Sequence, residues 1–238
     1  MKRLLTFALL AITMNGFAIG KNIKGNGVHK SETRQIPSYT GLAVSGPVNV
    51  EIIYGNAADL TIEGDENILP YIETFVKDGV LKIKVKDMNS VSPKLKLSIQ
   101  TSMTIINSVS QSGSGSITGN GNFENSSSTN FSMSGSGRIA LSFAHFNGTT
   151  VSMSGSGTIE LKGSIDGDLD MHQSGSGSID CLSAPCKSAT ARISGSGNMK
   201  VNATKNLEAH ISGSGEIYYA GAPTLSSHIS GSGHIRKI

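Results

Sequence analysis

The tetrapeptide Ser-Gly-Ser-Gly occurs seven times in this chain, starting at Ser112, Ser134, Ser154, Ser174, Ser194, Ser212 and Ser230. Successive starts lie 22, 20, 20, 20, 18 and 18 residues apart, a period that belongs to stacked repeat architectures. The flanks of each copy carry the physical signal. Apolar residues stand two positions beyond the last glycine, at Ile117, Ile139, Ile159, Ile179, Met199, Ile217 and Ile235. Immediately before each copy come Gln111, Met133, Met153, Gln173, Ile193, Ile211 and Ile229. All share one parity, the period of two that marks a strand with one buried face. The glycines fall on the same parity, so they turn a corner at the core wall where a Cβ would clash.

A repeat of about 20 residues made of strand and turn cannot bury its apolar face alone; copies must stack, with ladder bonds running between them. The expected fold is all-β: a parallel β-helix, or solenoid, rising ~4.8 Å per coil. Composition agrees. Glycine (29) and serine (36) supply 65 of 238 residues, and both are poor helix formers away from caps.

Residues 21–105 read differently, as a β-rich lead-in that caps the first coil; residues 106–238 form the repeat solenoid. The segment 21–100 holds 19 charged residues against 16 in residues 101–238. Alternation is plain in Val48-Asn49-Val50-Glu51-Ile52 and Leu81-Lys82-Ile83-Lys84-Val85, with turn signals at Asp78-Gly79 and Ser92-Pro93. Residues 65–74 are expected to make one short helix, interrupted at Pro70. Ser45-Gly46-Pro47-Val48 reads as a degenerate first copy of the repeat.

Lys2 and Arg3 precede an apolar run over residues 4–14, and Gly16-Phe17-Ala18 offers a small-x-small cleavage site. Residues 1–18 therefore read as a signal peptide, too short to span a bilayer. No later segment is apolar enough for a transmembrane helix. The expected location is the periplasm, the outer surface or the medium. Removing Lys2 and Arg3 leaves 18 basic against 17 acidic residues, and no basic cluster is present, so nucleic acid is not an expected partner. Cys181 and Cys186, the two cysteines, leave two readings open. One is a small-loop disulfide in an oxidising compartment; the other is a buried Cys181 with an incidental Cys186. They are too few for a metal site.

No catalytic constellation emerges. Asp166-Gly167-Asp168-Leu169-Asp170 lacks the glycine and later glutamate of a calcium loop and reads as a solvated turn. The repeated serines lack the Lys-Ser/Thr of a phosphate loop and the GxSxG of a nucleophile elbow. One outward column stands out, two residues before each tetrapeptide: Ser110, Ser132, Ser152, His172, Arg192, His210 and His228. His172, Arg192, His210 and His228 are the candidate ligand-binding residues, suited to an anionic glycan or, through imidazole, a transition metal. The plain alternative is a polar face with no ligand. No cofactor and no metal are expected. Asp180 and Lys200 share a column and are expected to pair.

The opening Tyr39-Thr40-Gly41-Leu42-Ala43-Val44-Ser45-Gly46, the stretch Gly64-Asp65-Glu66-Asn67-Ile68-Leu69, Asp78-Gly79-Val80-Leu81-Lys82-Ile83 and the repeated GSG corners together resemble the auto-transporter adhesin head GIN domain family, over residues 38–230. The resemblance implies a right-handed parallel β-helix, an adhesive role and no established catalytic residues. The expected function is thus an exported, non-enzymatic adhesin or binding module at the bacterial cell envelope, its partner a glycan or a surface protein. A periplasmic structural or sensing protein, and a β-helix carbohydrate-active enzyme, are the alternatives. No translocator or sorting segment follows the last repeat, which sets a periplasmic location beside surface display. The strand edge at residues 230–238 is expected either to be guarded by Arg236 and Lys237 or to dock a second copy.

Overall fold

Successive repeats stack in parallel register, each tetrapeptide over the one before. The structure, a computed structural model, describes residues 20–238 apart from residues 57, 58, 88, 122 and 126; the signal-peptide reading of residues 1–18 lies outside the described residues. Strands Thr129–Gly135, Thr149–Gly155 and Leu169–Gly175 pair residue for residue, placing Met133 beside Met153 and Met153 beside Gln173. After the corner, strands Arg138–Phe146 and Thr158–Ile165 pair Ile139 with Ile159, and Ile159 in turn pairs with Ile179. Ile117, Ile139, Ile159, Ile179, Met199 and Ile217 are all fully buried, as the period of two requires. The chain is nearly all strand, a β-solenoid.

The corner explains the glycines. Gly155 has φ +132°, and a Cβ there would lie 2.3 Å from Gly135 O of the coil below. That carbonyl accepts a hydrogen bond from the Ser156 N–H at 3.0 Å, and the same bond recurs from Ser176 to Gly155 O and from Ser196 to Gly175 O. Coils can approach this closely only where no side chain intervenes.

The first copy is indeed degenerate. Ser112 of strand Ser108–Gly113 pairs with Ser45 of strand Gly41–Ser45, and Gly46, at φ +96°, lies directly beneath Gly113. Chain order and spatial order part company here. Strand Gly41–Ser45 is flanked by Ser108–Gly113 on one side and Val80–Val85 on the other. Asn49–Tyr54 is likewise held between Ser116–Asn120 and Ser98–Met103. The first rung of the solenoid in chain order is therefore an interior one. Three antiparallel strands close that end: Asp59–Asp65 on Ser98–Met103, Ile72–Lys77 on Val80–Val85, and His29–Gln35 on Asp59–Asp65. The helix expected over residues 65–74 shrinks to one 3-10 turn, Leu69–Tyr71. Pro70 near its start has no N–H to extend it, and Ile72 is already extended.

Asp65 anchors this cap. It is 1 % exposed and accepts hydrogen bonds from the backbone N–H groups of Gly27 (2.7 Å), Lys94 (2.9 Å) and Leu95 (2.9 Å). Burial works to raise its pKa, but those three donors and the Lys94 charge outweigh it and hold the carboxyl below its ordinary value.

The core fills the coils with aliphatic ladders and one aromatic knot, in which Phe123, Phe131 and Phe146 surround Phe143 at centroid distances of 4.0 to 5.8 Å. Two polar residues interrupt the Met/Ile column. Gln111 is 1 % exposed and neither amide atom finds a partner among the described residues; Gln173 donates to Gly177 O. The opposite end differs from the cap. Every residue of strand Thr224–Gly231 is exposed, including Leu225 at 38 % and Ile229 at 42 %, so the buried periodicity ends with the preceding coil.

Cys181 and Cys186, for which a disulfide and a free-thiol reading stood open, are free thiols in the structure, and both are buried. They share strand Ser178–Gly195, on either side of a register shift that places Cys181 beside Val201 and Cys186 beside Ala203. Each faces inward against the next coil rather than across a closed loop. Cys186 Sγ lies 3.4 Å from Asn202 O instead. Burial is the main cause that pushes both thiols up, Cys186 to about 12.

Candidate functional site

The outward column that precedes each corner is in perfect ladder register. Ser132 pairs with Ser152, Ser152 with His172, His172 with Arg192, Arg192 with His210 and His210 with His228. Two residues on, Ser134, Ser154, Ser174, Ser194, Ser212 and Ser230 form a second column in the same register. Both columns project outward because the residues between them, Met133, Met153, Gln173, Ile193 and Ile211, project inward. The two rows wall a groove of about 730 Å³ that runs parallel to the solenoid axis. Five coil steps of ~4.8 Å give it a length of roughly 24 Å.

The walls are unlike. One is a uniform row of serine hydroxyls. The other changes along its length, from serine at Ser132 and Ser152 to His172, Arg192, His210 and His228. The imidazoles of His210 and His228 face one another at a centroid distance of 6.2 Å, tilted by 47°. The floor is nearly sealed: Met133, Met153, Gln173, Ile193 and Ile211 are each 1 to 3 % exposed.

A residue absent from the sequence reading proves central. Glu208, two positions before His210 on the same outward face, lies 2.9 Å from the Arg192 guanidinium and 2.6 Å from His210 Nε2. The hydrogen bond from His210, and behind it the Arg192 charge, lowers its pKa against a smaller opposing effect of burial. Its signal was its parity, shared with His210; the chemistry lay in the neighbouring coil, which column-by-column reading does not join. Asp180 and Lys200 pair at 3.3 Å as expected. Asp166 lies 3.6 Å from His145, while Asp170 sits in register between Thr150 and Thr190. Among the described residues no group of three or more His, Cys, Asp or Glu is arranged to hold a metal ion. No helix among them is long and apolar enough to cross a membrane. A second, smaller concavity of about 370 Å³ on another face is lined by Glu51, Glu63, Lys96, Gln100 and Thr118 among others.

Comparison with solved structures finds the same fold repeatedly. A "putative lipid binding protein" from Parabacteroides distasonis ATCC 8503 is 27 % identical, covering 91 % of this chain and 99 % of its own, with a TM-score of 0.72. A "putative adhesin" from Bacteroides fragilis NCTC 9343 is 21 % identical, covers 91 % of this chain and 100 % of its own, and has a TM-score of 0.74. Another "putative adhesin", from Parabacteroides merdae ATCC 43184, is 21 % identical with a TM-score of 0.66, covering 91 % and 99 %. No protein of curated function matches the chain. A family model described as "putative auto-transporter adhesin, head GIN domain" matches residues 38–223. With three quarters of its length matched in this way, and the stacked GSG corners present in the structure, the chain belongs to the auto-transporter adhesin head GIN domain family.

Proposed function

We propose that the protein is an exported binding module of the adhesin type, which holds an extended polymer along the groove and performs no catalysis. The observation that carries this reading is the groove itself, six coils long with a serine hydroxyl presented at every step of one wall. A site built on translational repetition suits a ligand that also repeats, such as a glycan chain at the cell envelope or an extended segment of a surface protein. A second reading, a lipid ligand, is suggested by the name of the 27 % identical protein, and it fits a groove whose lining is largely apolar in area.

The test is a binding survey with purified protein on immobilised neutral and acidic polysaccharides and matrix proteins. It runs beside a variant in which Ser154→Trp and Ser174→Trp obstruct the groove. At least one polymer should be retained by the parent and lost by the obstructed variant. Equal retention of every polymer by both proteins would refute a groove-borne function. Protease treatment of intact and lysed cells then separates surface display from a periplasmic life: digestion of the chain in intact cells places it outside.

A further inference from the structure

The chemistry of the two walls narrows the occupant. Among the described residues that line the groove there is no Tyr, Phe or Trp. Stacking on an aromatic face, a common way to hold an uncharged sugar ring, is therefore not offered here. What remains for polar recognition is a row of hydroxyls along one wall and, along the other, the Arg192 guanidinium flanked by imidazole nitrogens. Arg192 carries a permanent charge between His172 and His210, and each imidazole beside it offers a ring N–H donor. Four such positions at ~4.8 Å intervals span roughly 14 Å, too long for a single small anion and suited to a chain of them. The chain as a whole is close to neutral, at +3, so this row is a local feature and not part of a general basic field.

The row already holds one anion of its own. Glu208 accepts hydrogen bonds from both Arg192 and His210, and is half-exposed beside the groove. Charged groups that face the imidazoles from the packed strands are Arg192 and His228 for His210, and Arg192 for His172; Asp170 and Glu208 lie on the imidazoles' own strands. Resting on the groove reading above, we propose that the wall of His172, Arg192, His210 and His228 is the seat of a linear polyanionic polysaccharide, bearing sulfate or carboxylate groups, and that Glu208 is an internal competitor the ligand must displace. Serine hydroxyls at Ser174, Ser194 and Ser212 face the same chain from the opposite wall. Arg192 gives a planar, forked donor pair for a sulfate or carboxylate; the imidazoles add ring N–H donors on either side of it.

The experiment measures binding of dextran sulfate, with neutral dextran and anionic phosphatidylserine vesicles as parallel probes, by full-length protein and point variants. All the variants alter exposed side chains, and circular dichroism melts verify that each folds. Dextran sulfate is expected to bind, more weakly as salt rises, while neutral dextran does not. Glu208→Gln should tighten binding several-fold at pH 7.5 by freeing Arg192 and His210. Arg192→Gln should weaken it about ten-fold, the scale on which one charge-assisted hydrogen bond acts. Lys162→Gln, a cation on another face paired with Glu160, should leave it unchanged. Three results would overturn the proposal: no gain in Glu208→Gln, equal losses in Lys162→Gln and Arg192→Gln, or binding of vesicles without dextran sulfate. If a neutral polymer binds and the Trp obstruction abolishes it, the polyanion assignment fails while the groove function stands.

Discussion

Replacing the corner glycines separates the two physical reasons they are there. Gly155 has both: φ +132° and a Cβ position 2.3 Å from Gly135 O, 3.0 Å from its N and 3.1 Å from its C. All three are backbone atoms that cannot swing aside. Gly137 has only the contact, 2.6 Å from Gly115 O and 2.5 Å from the Gln111 amide. Gly79 has only the conformation, φ +72° with nothing within 4 Å. Backbone strain costs on the order of 1–3 kcal/mol at such positions, and forcing an extra methyl into a filled space about 1–3 kcal/mol more. Gly155→Ala should then lose roughly 4 kcal/mol and Gly79→Ala about 1 kcal/mol, with Gly137→Ala between. At ~2–4 °C per kcal/mol for a chain of this size, the melting point should fall by roughly 12 °C in Gly155→Ala and ~3 °C in Gly79→Ala. Thermal melts followed by far-ultraviolet circular dichroism read the difference. If Gly155→Ala melts with Gly79→Ala, the coils do not meet at the corner as closely as described, and the steric account is wrong.

Four further outcomes are expected. Ile159→Asp, at a fully buried ladder position, should lower the melting point far more than Thr158→Asp on the half-buried outer face; similar small losses would contradict the register. Gln111→Met should raise stability by about 1–2 kcal/mol, since an amide buried without partners between Val44 and Met133 is replaced by the thioether its column already uses; a loss in a urea titration would count against this. The Asp65 carboxyl, held below its ordinary pKa, contributes stability that is complete above the unfolded value of ~3.9 and is lost as pH falls through the lower folded value. The stability difference between parent and Asp65→Asn should therefore narrow on acidification below about pH 4, and a constant difference would refute the linkage. Native protein should resist Ellman's reagent at pH 8, with Cys186 pushed up to about 12 and Cys181 higher, while unfolded protein should release two thiols; release of none would mean a disulfide.

The solenoid was legible because its signal is local and repeated. The parity of Ile139, Ile159 and Ile179 around each GSG corner reports burial and turn together, and the structure places every one of them as that parity demands. Ser45-Gly46 was readable as a first copy for the same reason. The cap was not. Nothing within residues 41–54 tells that residues 80–103 and not 108–120 lie on their far side, because strand neighbours are chosen by long-range pairing and not by pattern. The site divides along the same line. The His/Arg column follows from its constant offset to each tetrapeptide, so His172, Arg192, His210 and His228 could be aligned by counting. Glu208 escaped because its partners lie in two different coils, and the cysteines stayed open because nearness in sequence does not say whether two side chains meet across a core.

The interior placement of strands Gly41–Ser45 and Asn49–Tyr54 has a kinetic consequence. This rung has no neighbour until the chain has continued past residue 80, looped back and laid strands Val80–Val85 and Ser98–Met103 along it. The entropy of closing those loops must be met before any repeat has a surface on which to add. Thereafter each coil needs only its predecessor, some 20 residues back, and growth becomes a zipper of nearly identical short closures. Folding should accordingly run in one direction, with a slow start at the cap and fast propagation toward Ile238. Shortening the chain from its C-terminal end should leave that start intact, whereas lesions in the cap should delay every coil that follows.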